Sequence, residues 1–180
     1  ITQHNVFLAD RAKYLHFDDV AFNGLYNEDE RISTIGSRVV GVFANQEVDG
    51  ESYHITFHRC DFEKCNIGFD CDDDIDGIVF DKCNFHYLYH AIVVGENISS
   101  GTGPIVKVTN CLFDEIYDTA IKTLNGASNF VSAFNSFREF VATGANGSGN
   151  PTAPIINFAD DGNYSIGDTF ARDSDDALTY

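Results

Sequence analysis

Three stretches of this chain can be laid over one another residue by residue: ITFHRCDF at 55–62, IVFDKCNF at 78–85 and VKVTNCLF at 106–113. Each reads apolar, any, apolar, two polar, Cys, any, Phe. The register is carried by Ile55, Ile78 and Val106, by Phe57, Phe80 and Val108, by Cys60, Cys83 and Cys111, and by Phe62, Phe85 and Phe113. LHFDDVAF at 15–22 fits the same frame with Val20 in the Cys position. FVSAFNSF at 130–137 and NYSIGDTF at 163–170 keep the closing Phe but put Asn135 and Asp168 in the Cys position, and Ser132 stands where an apolar residue belongs. The closing phenylalanines, from Phe22 to Phe170, are 40, 23, 28, 24 and 33 residues apart, a base period in the low twenties with insertions.

A unit this short, made of period-2 strands and polar turns, cannot bury its apolar side alone. Stacking successive units in register pairs each strand with its copy about 4.8 Å away and lines equivalent side chains into internal ladders. The expected fold is therefore all-β, a parallel β-helix solenoid of about six coils. The phenylalanines would form an inward stack, and the Cys/Val/Asn column a second ladder. A second apolar cluster follows several units: Ile67-Gly68-Phe69, Ala91 to Val94, Thr119-Ala120-Ile121 and Ala177-Leu178, with Val39 to Phe43 in that role after the first unit. Helical periodicity is weak, the LxxLxLxxN signature of leucine-rich repeats is missing, and an antiparallel sandwich would not demand a common register.

With 180 residues, 43% of them hydrophobic and 13% aromatic, the chain suffices for one domain with a real core, spanning 1–180. The long loops fall near 24–37, 95–104 and 143–154, and the last two hold all three prolines. Eleven basic against 28 acidic residues give a net charge of −17, a field that repels phosphate backbones and anionic lipid. Nucleic acid is thus not an expected partner. Nor is membrane insertion expected, since no apolar run approaches a span. A start at Ile1 with no Met anywhere suggests part of a longer chain. The five cysteines form no paired CxxC pattern and read as buried free thiols.

The segments GIVFDKCNF followed by HAIVV, and IVKVTNCLF followed by TAI, resemble coils of the right-handed, pectate-lyase-like β-helix superfamily. The likeness runs over roughly 14–178 and is strongest over 53–123. That superfamily includes polysaccharide lyases, polygalacturonase-like hydrolases, epimerases, adhesins, and bacteriophage tailspikes and tail fibres. The hydrolase motifs NTD, GHG and RxK do not occur, and Asp160-Asp161-Gly162 is only a paired aspartate. Arg59 and Arg138 lack the surroundings of a lyase base. The resemblance accordingly implies a tailspike or tail-fibre module of a virion or another extracellular structure. It would be a homotrimer in contact with other virion proteins, gripping a host-surface polysaccharide through several weak sites. A polysaccharide lyase or glycoside hydrolase is the alternative, and a stiff structural spacer the third reading.

Two groups of residues could carry chemistry. In DCDDDIDG, residues 70–77, the carboxylates of Asp72, Asp74 and Asp76 before Gly77 match the first half of a calcium loop. Cys83 in place of the closing Glu excludes an EF-hand, leaving a simpler Ca2+ turn or a solvated turn. The second group is Glu63, Asp114 and Asp118. Glu63 and Asp114 each follow a closing Phe and flank His86 in the stacked register, as an acid–base pair on an outer face would. With 28 acids present, a merely solvated face has the same appearance. Tyr87, Tyr89 and Tyr117 can stack on sugars or pack within and between chains.

Overall fold

The structure, a computed structural model, describes residues 3–8, 14–24, 39–44, 54–71, 77–95, 105–124, 129–138, 156–157 and 163–170. Among them every regular element is a β-strand, and the strands form three six-stranded sheets, all parallel. The first sheet orders β1 (Gln3–Leu8), β4 (Val39–Ala44), β7 (Ile67–Cys71), β10 (His90–Val94), β13 (Ile121–Thr123) and β16 (Ile156–Asn157). The second holds β2 (Leu15–Asp18), β5 (Ile55–His58), β8 (Ile78–Asp81), β11 (Val106–Thr109), β14 (Phe130–Ala133) and β17 (Tyr164–Ile166). The third holds β3 (Ala21–Asn23), β6 (Asp61–Glu63), β9 (Asn84–Leu88), β12 (Leu112–Ile116), β15 (Ser136–Arg138) and β18 (Thr169–Phe170). Each strand pairs with the one three elements on, so the chain visits the three sheets in turn. This is an all-β fold compatible with a parallel β-helix.

The eight-residue frame is a second-sheet strand, a corner and a third-sheet strand. In β5 and β8 the first and third residues are buried and the others half-buried, as alternation demands. The corner is one residue in left-handed backbone geometry, φ between 52° and 66°, at Asp19, Arg59, Lys82, Asn110, Phe134 and Gly167. It is the second of the frame's two polar positions. One such residue between extended neighbours bends the chain sharply, while pairing continues through it: Arg59 N–H donates to the Asp81 carbonyl (3.1 Å) and Lys82 N–H to that of Thr109 (3.0 Å).

Register turns the sequence columns into stacks. Phe22 and Phe62 rings lie 4.8 Å apart, Phe62 and Phe85 4.7 Å, Phe85 and Phe113 4.8 Å, Phe113 and Phe137 4.6 Å, and Phe137 and Phe170 5.0 Å, all near-parallel. Phe17, Phe57 and Phe80 form a second stack at 5.0 and 4.8 Å, meeting the first edge-on. Offset-stacked and edge-to-face rings add to the stabilisation from burial. All five cysteines are buried and free. Cys60 Sγ–H reaches the Phe17 carbonyl and Cys83 Sγ–H that of Phe57, each at 3.4 Å, so a thiol satisfies a carbonyl of the preceding repeat.

The two loosely fitting segments have a structural reason. Asn135 accepts from Cys111 N–H (2.8 Å) and donates to the Val108 carbonyl (3.1 Å), while Asp168 accepts from Asn135 N–H (2.7 Å) and from the hydroxyls of Ser132 and Ser165. The apolar column thus becomes a polar one that satisfies itself.

The second apolar cluster is the first sheet. Its strands β1 and β16 were not expected from the repeat, because β1 comes before the first frame and a long insertion separates β16 from the fifth, and Ala177-Leu178 lies outside the described residues. Gly68 is required in β7: a Cβ there would come within 2.8 Å of the Ala91 carbonyl oxygen.

Candidate functional site

In the third sheet the Phe at the second position of β3, β6, β9, β12 and β15 is buried, so the residues on either side of it line the outer face. Parallel register arranges these neighbours in rows: Asp61, Asn84, Leu112, Ser136 and Thr169, and beside it Glu63, His86, Asp114 and Arg138. Glu63 and Asp114 therefore do flank His86, two strand spacings or about 10 Å apart along the backbone. That backbone spacing exceeds the roughly 6.5–9.5 Å between the two carboxyl groups of an inverting glycosidase.

Electrostatics separates these two acids. Lys64 Nζ sits 2.6 Å from Glu63 Oε1, and this bond holds the Glu63 carboxyl below the usual range. Asp114 Oδ1 is shielded from solvent and accepts no hydrogen bond among the described residues; its cationic neighbour is Arg138 Nε at 3.8 Å. Asp61 Oδ1 is in the same situation, 3.5 Å from His86 Nε2. Asp118 does not join them. It follows β12, with Oδ2 3.6 Å from Nε2 of His90, whose Nδ1–H donates to the Thr119 carbonyl (3.3 Å). Burial pushes the Asp118 carboxyl up from its ordinary value, opposed by Lys122. Burial and the Asp118 charge also push up the Tyr89 phenol.

Asp72, Asp74 and Asp76 lie outside the described residues; Asp70, at the start of that run, is buried in β7. Of the tyrosines, Tyr117 is buried, Tyr87 lies under Lys64 Nζ at 5.9 Å and Tyr89 meets His90 edge-on at 4.7 Å.

Sequence reasoning missed a charged row at the corner. His58 Nδ1 lies 2.9 Å from Asp18 Oδ1, and Nε2 3.6 Å from Asp81 Oδ2, spanning three repeats. Arg59 donates through Nε and Nη2 to both Asp19 oxygens (2.7 and 2.8 Å) and through Nη2 to Asp18 (3.0 Å). This fork draws the Asp19 carboxyl down and the guanidinium up. Burial alone would raise Asp81, but bonds from Asn110 and Thr109, both 3.0 Å, with the Lys82 and His58 charges, hold it below the ordinary value. The signal was the frame's paired polar positions, whose partners become visible only once the register is known.

Beyond this row, the corner of the fifth repeat opens into a cleft of about 470 Å³. It is lined by Asn110, Leu112, Phe134, Ser136, Arg138 and Thr169, over Cys111 and Phe137. Phe134 projects into solvent, 64% exposed. No protein-family model matches the chain, and comparison with curated proteins and with solved structures found no match for it either.

Proposed function

We propose that the chain is a right-handed parallel β-helix module of the tailspike or tail-fibre type, which attaches a virion or similar extracellular assembly to a host-surface glycan. One observation carries the reading: parallel register sets one outward side chain per repeat at strand spacing along the outer rows. A polysaccharide laid along such a row meets a side chain at each step, so contacts that are weak singly add up along the chain. Right-handedness follows the strong preference of parallel crossovers. A homotrimer multiplies the contacts again. It would also cover apolar surface such as Tyr164, Ile166 and Phe170, all more than half exposed in the sixth repeat.

A polysaccharide-degrading enzyme is the second reading, favoured by the raised Asp118 carboxyl beside His90 and by the Glu63–His86–Asp114 row. One experiment addresses both: light scattering of the purified chain on a sizing column, followed by incubation with bacterial surface polysaccharides. Attachment predicts a mass of three times 19.9 kDa and retained, uncut polysaccharide. New reducing ends or unsaturated products would make it an enzyme, and a monomer that retains no glycan would overturn the attachment reading.

A further inference from the structure

We propose that the fifth-repeat cleft is a sugar subsite in which an uncharged hexopyranose ring stacks on Phe134, an inference that rests on the glycan-attachment reading and gives it a location. The argument begins with the backbone. Phe134 has φ 58°, a region that a bulky side chain rarely enters. The same corner position holds Asp19, Arg59, Lys82 and Asn110 in earlier repeats and Gly167 in the next. Those are polar residues, or the glycine that such geometry favours. Core packing does not explain the exception, because the ring is 64% exposed. Strained backbone that carries an exposed aromatic is a feature of binding sites.

The ring is nonetheless seated. A Cβ on Gly167 would come 2.7 Å from its Cδ1 and Cε1, so the missing side chain of the next repeat provides the shelf on which it lies. The result is a fixed, flat apolar face beside an open cleft of about 470 Å³, within the ordinary size of a ligand site. The rim offers a carboxamide (Asn110), two hydroxyls (Ser136 and Thr169) and a guanidinium (Arg138), with Leu112 as apolar wall. A pyranose presents the complement, a C–H face for the ring and a rim of hydroxyls for the polar groups. Arg138 has donors to offer, since its ion contact among the described residues is the loose 3.8 Å approach to Asp114. The Asp114 carboxylate balances the Arg138 charge, and a chain of net charge −17 repels acidic sugars. The expected unit is therefore neutral.

The test uses Phe134→Asn, which gives the corner the residue found one repeat earlier at Asn110 and relieves the backbone. Wild type and variant are titrated calorimetrically against neutral gluco-, galacto- and manno-hexaoses and against oligogalacturonate and oligosialic acid, and their thermal midpoints and solution masses are recorded. The site predicts at least a tenfold loss of affinity for the neutral hexaose that wild type binds, with a midpoint unchanged or higher. A variant that binds as tightly as wild type overturns this site and leaves glycan attachment standing. Wild type that binds only the acidic oligomers also overturns it. A fall in midpoint would show that the ring is structural, and a loss of oligomer without loss of affinity would show that it meets a second copy. Wild type that binds no oligosaccharide at all removes the attachment reading together with this site.

Discussion

Phe85 shows what a single residue contributes. Its ring is fully buried between Phe62 at 4.7 Å and Phe113 at 4.8 Å, so truncation leaves a cavity that its stiff neighbours cannot fill. Phe85→Ala should lower stability by about 3–5 kcal/mol in urea unfolding, as a fully buried Phe does elsewhere; a loss under about 1 kcal/mol would mean there is no such stack. The thiols lend themselves to a simpler assay. All five are buried, and burial pushes Cys65 up to about 12. An aromatic disulfide reagent should label none in the native protein and five after denaturation. The inward columns were legible in the sequence because burial imposes one residue type at one spacing. Acids such as Glu63, Asp114 and Asp118 were not sorted by it, since a carboxylate looks the same whether a lysine, an arginine or a buried wall stands beside it.

Asp81 and Asp118 should respond to pH with opposite signs. Asp81 is held below its ordinary value, so its stabilisation is in place above the unfolded pKa of about 3.9 and is lost as pH falls through the lower folded value. Asp118 is raised, so ionising it costs stability as pH rises from the unfolded value through the folded one. At neutral pH, Asp81→Asn should therefore melt below wild type and Asp118→Asn above it. The Asp81→Asn difference should shrink as the pH drops below about 4, the Asp118→Asn difference should already have faded by the time the pH has fallen to about 4, and melts that shift in the same direction at neutral pH would contradict the assignment.

At the scale of the element, the corner and the sheet interior set different limits on sequence. The corner tolerates Asp, Arg, Lys, Asn, Phe and Gly, because its side chain points out and only the backbone must bend. Gly68 in β7 tolerates nothing larger: Gly68→Ala would press a methyl against the Ala91 carbonyl, and about 1–3 kcal/mol of destabilisation is expected on denaturant unfolding. The self-satisfied polar column behaves in the opposite manner to an apolar one. Asp168→Ala strands the Asn135 N–H and the Ser132 hydroxyl, at about 1–3 kcal/mol for each donor left buried and unpaired. Sequence reading saw these segments only as poor matches, because a hydrogen-bonded column preserves shape and not hydropathy. It found the frame's two strands and the first-sheet cluster after most repeats. It missed β1 and β16, whose places are fixed by pairing with β4 and β13 and not by spacing from a closing Phe.

Across the described residues each sheet pairs strands of successive repeats in parallel register. The same register that stacks phenylalanines inside builds the Asp18–His58–Asp81 and Glu63–His86–Asp114–Arg138 rows outside. Interior and surface thus share one spacing. The most direct test of this in-register stacking is a nuclear Overhauser experiment on protein carrying protonated Phe rings in a deuterated background. Cross-peaks should link Phe22 to Phe62, Phe62 to Phe85, Phe85 to Phe113 and Phe113 to Phe137, in an unbroken ladder with centroids under 5 Å apart. Rings that show no contacts between consecutive repeats, or that pair across two repeats instead of one, would contradict the account.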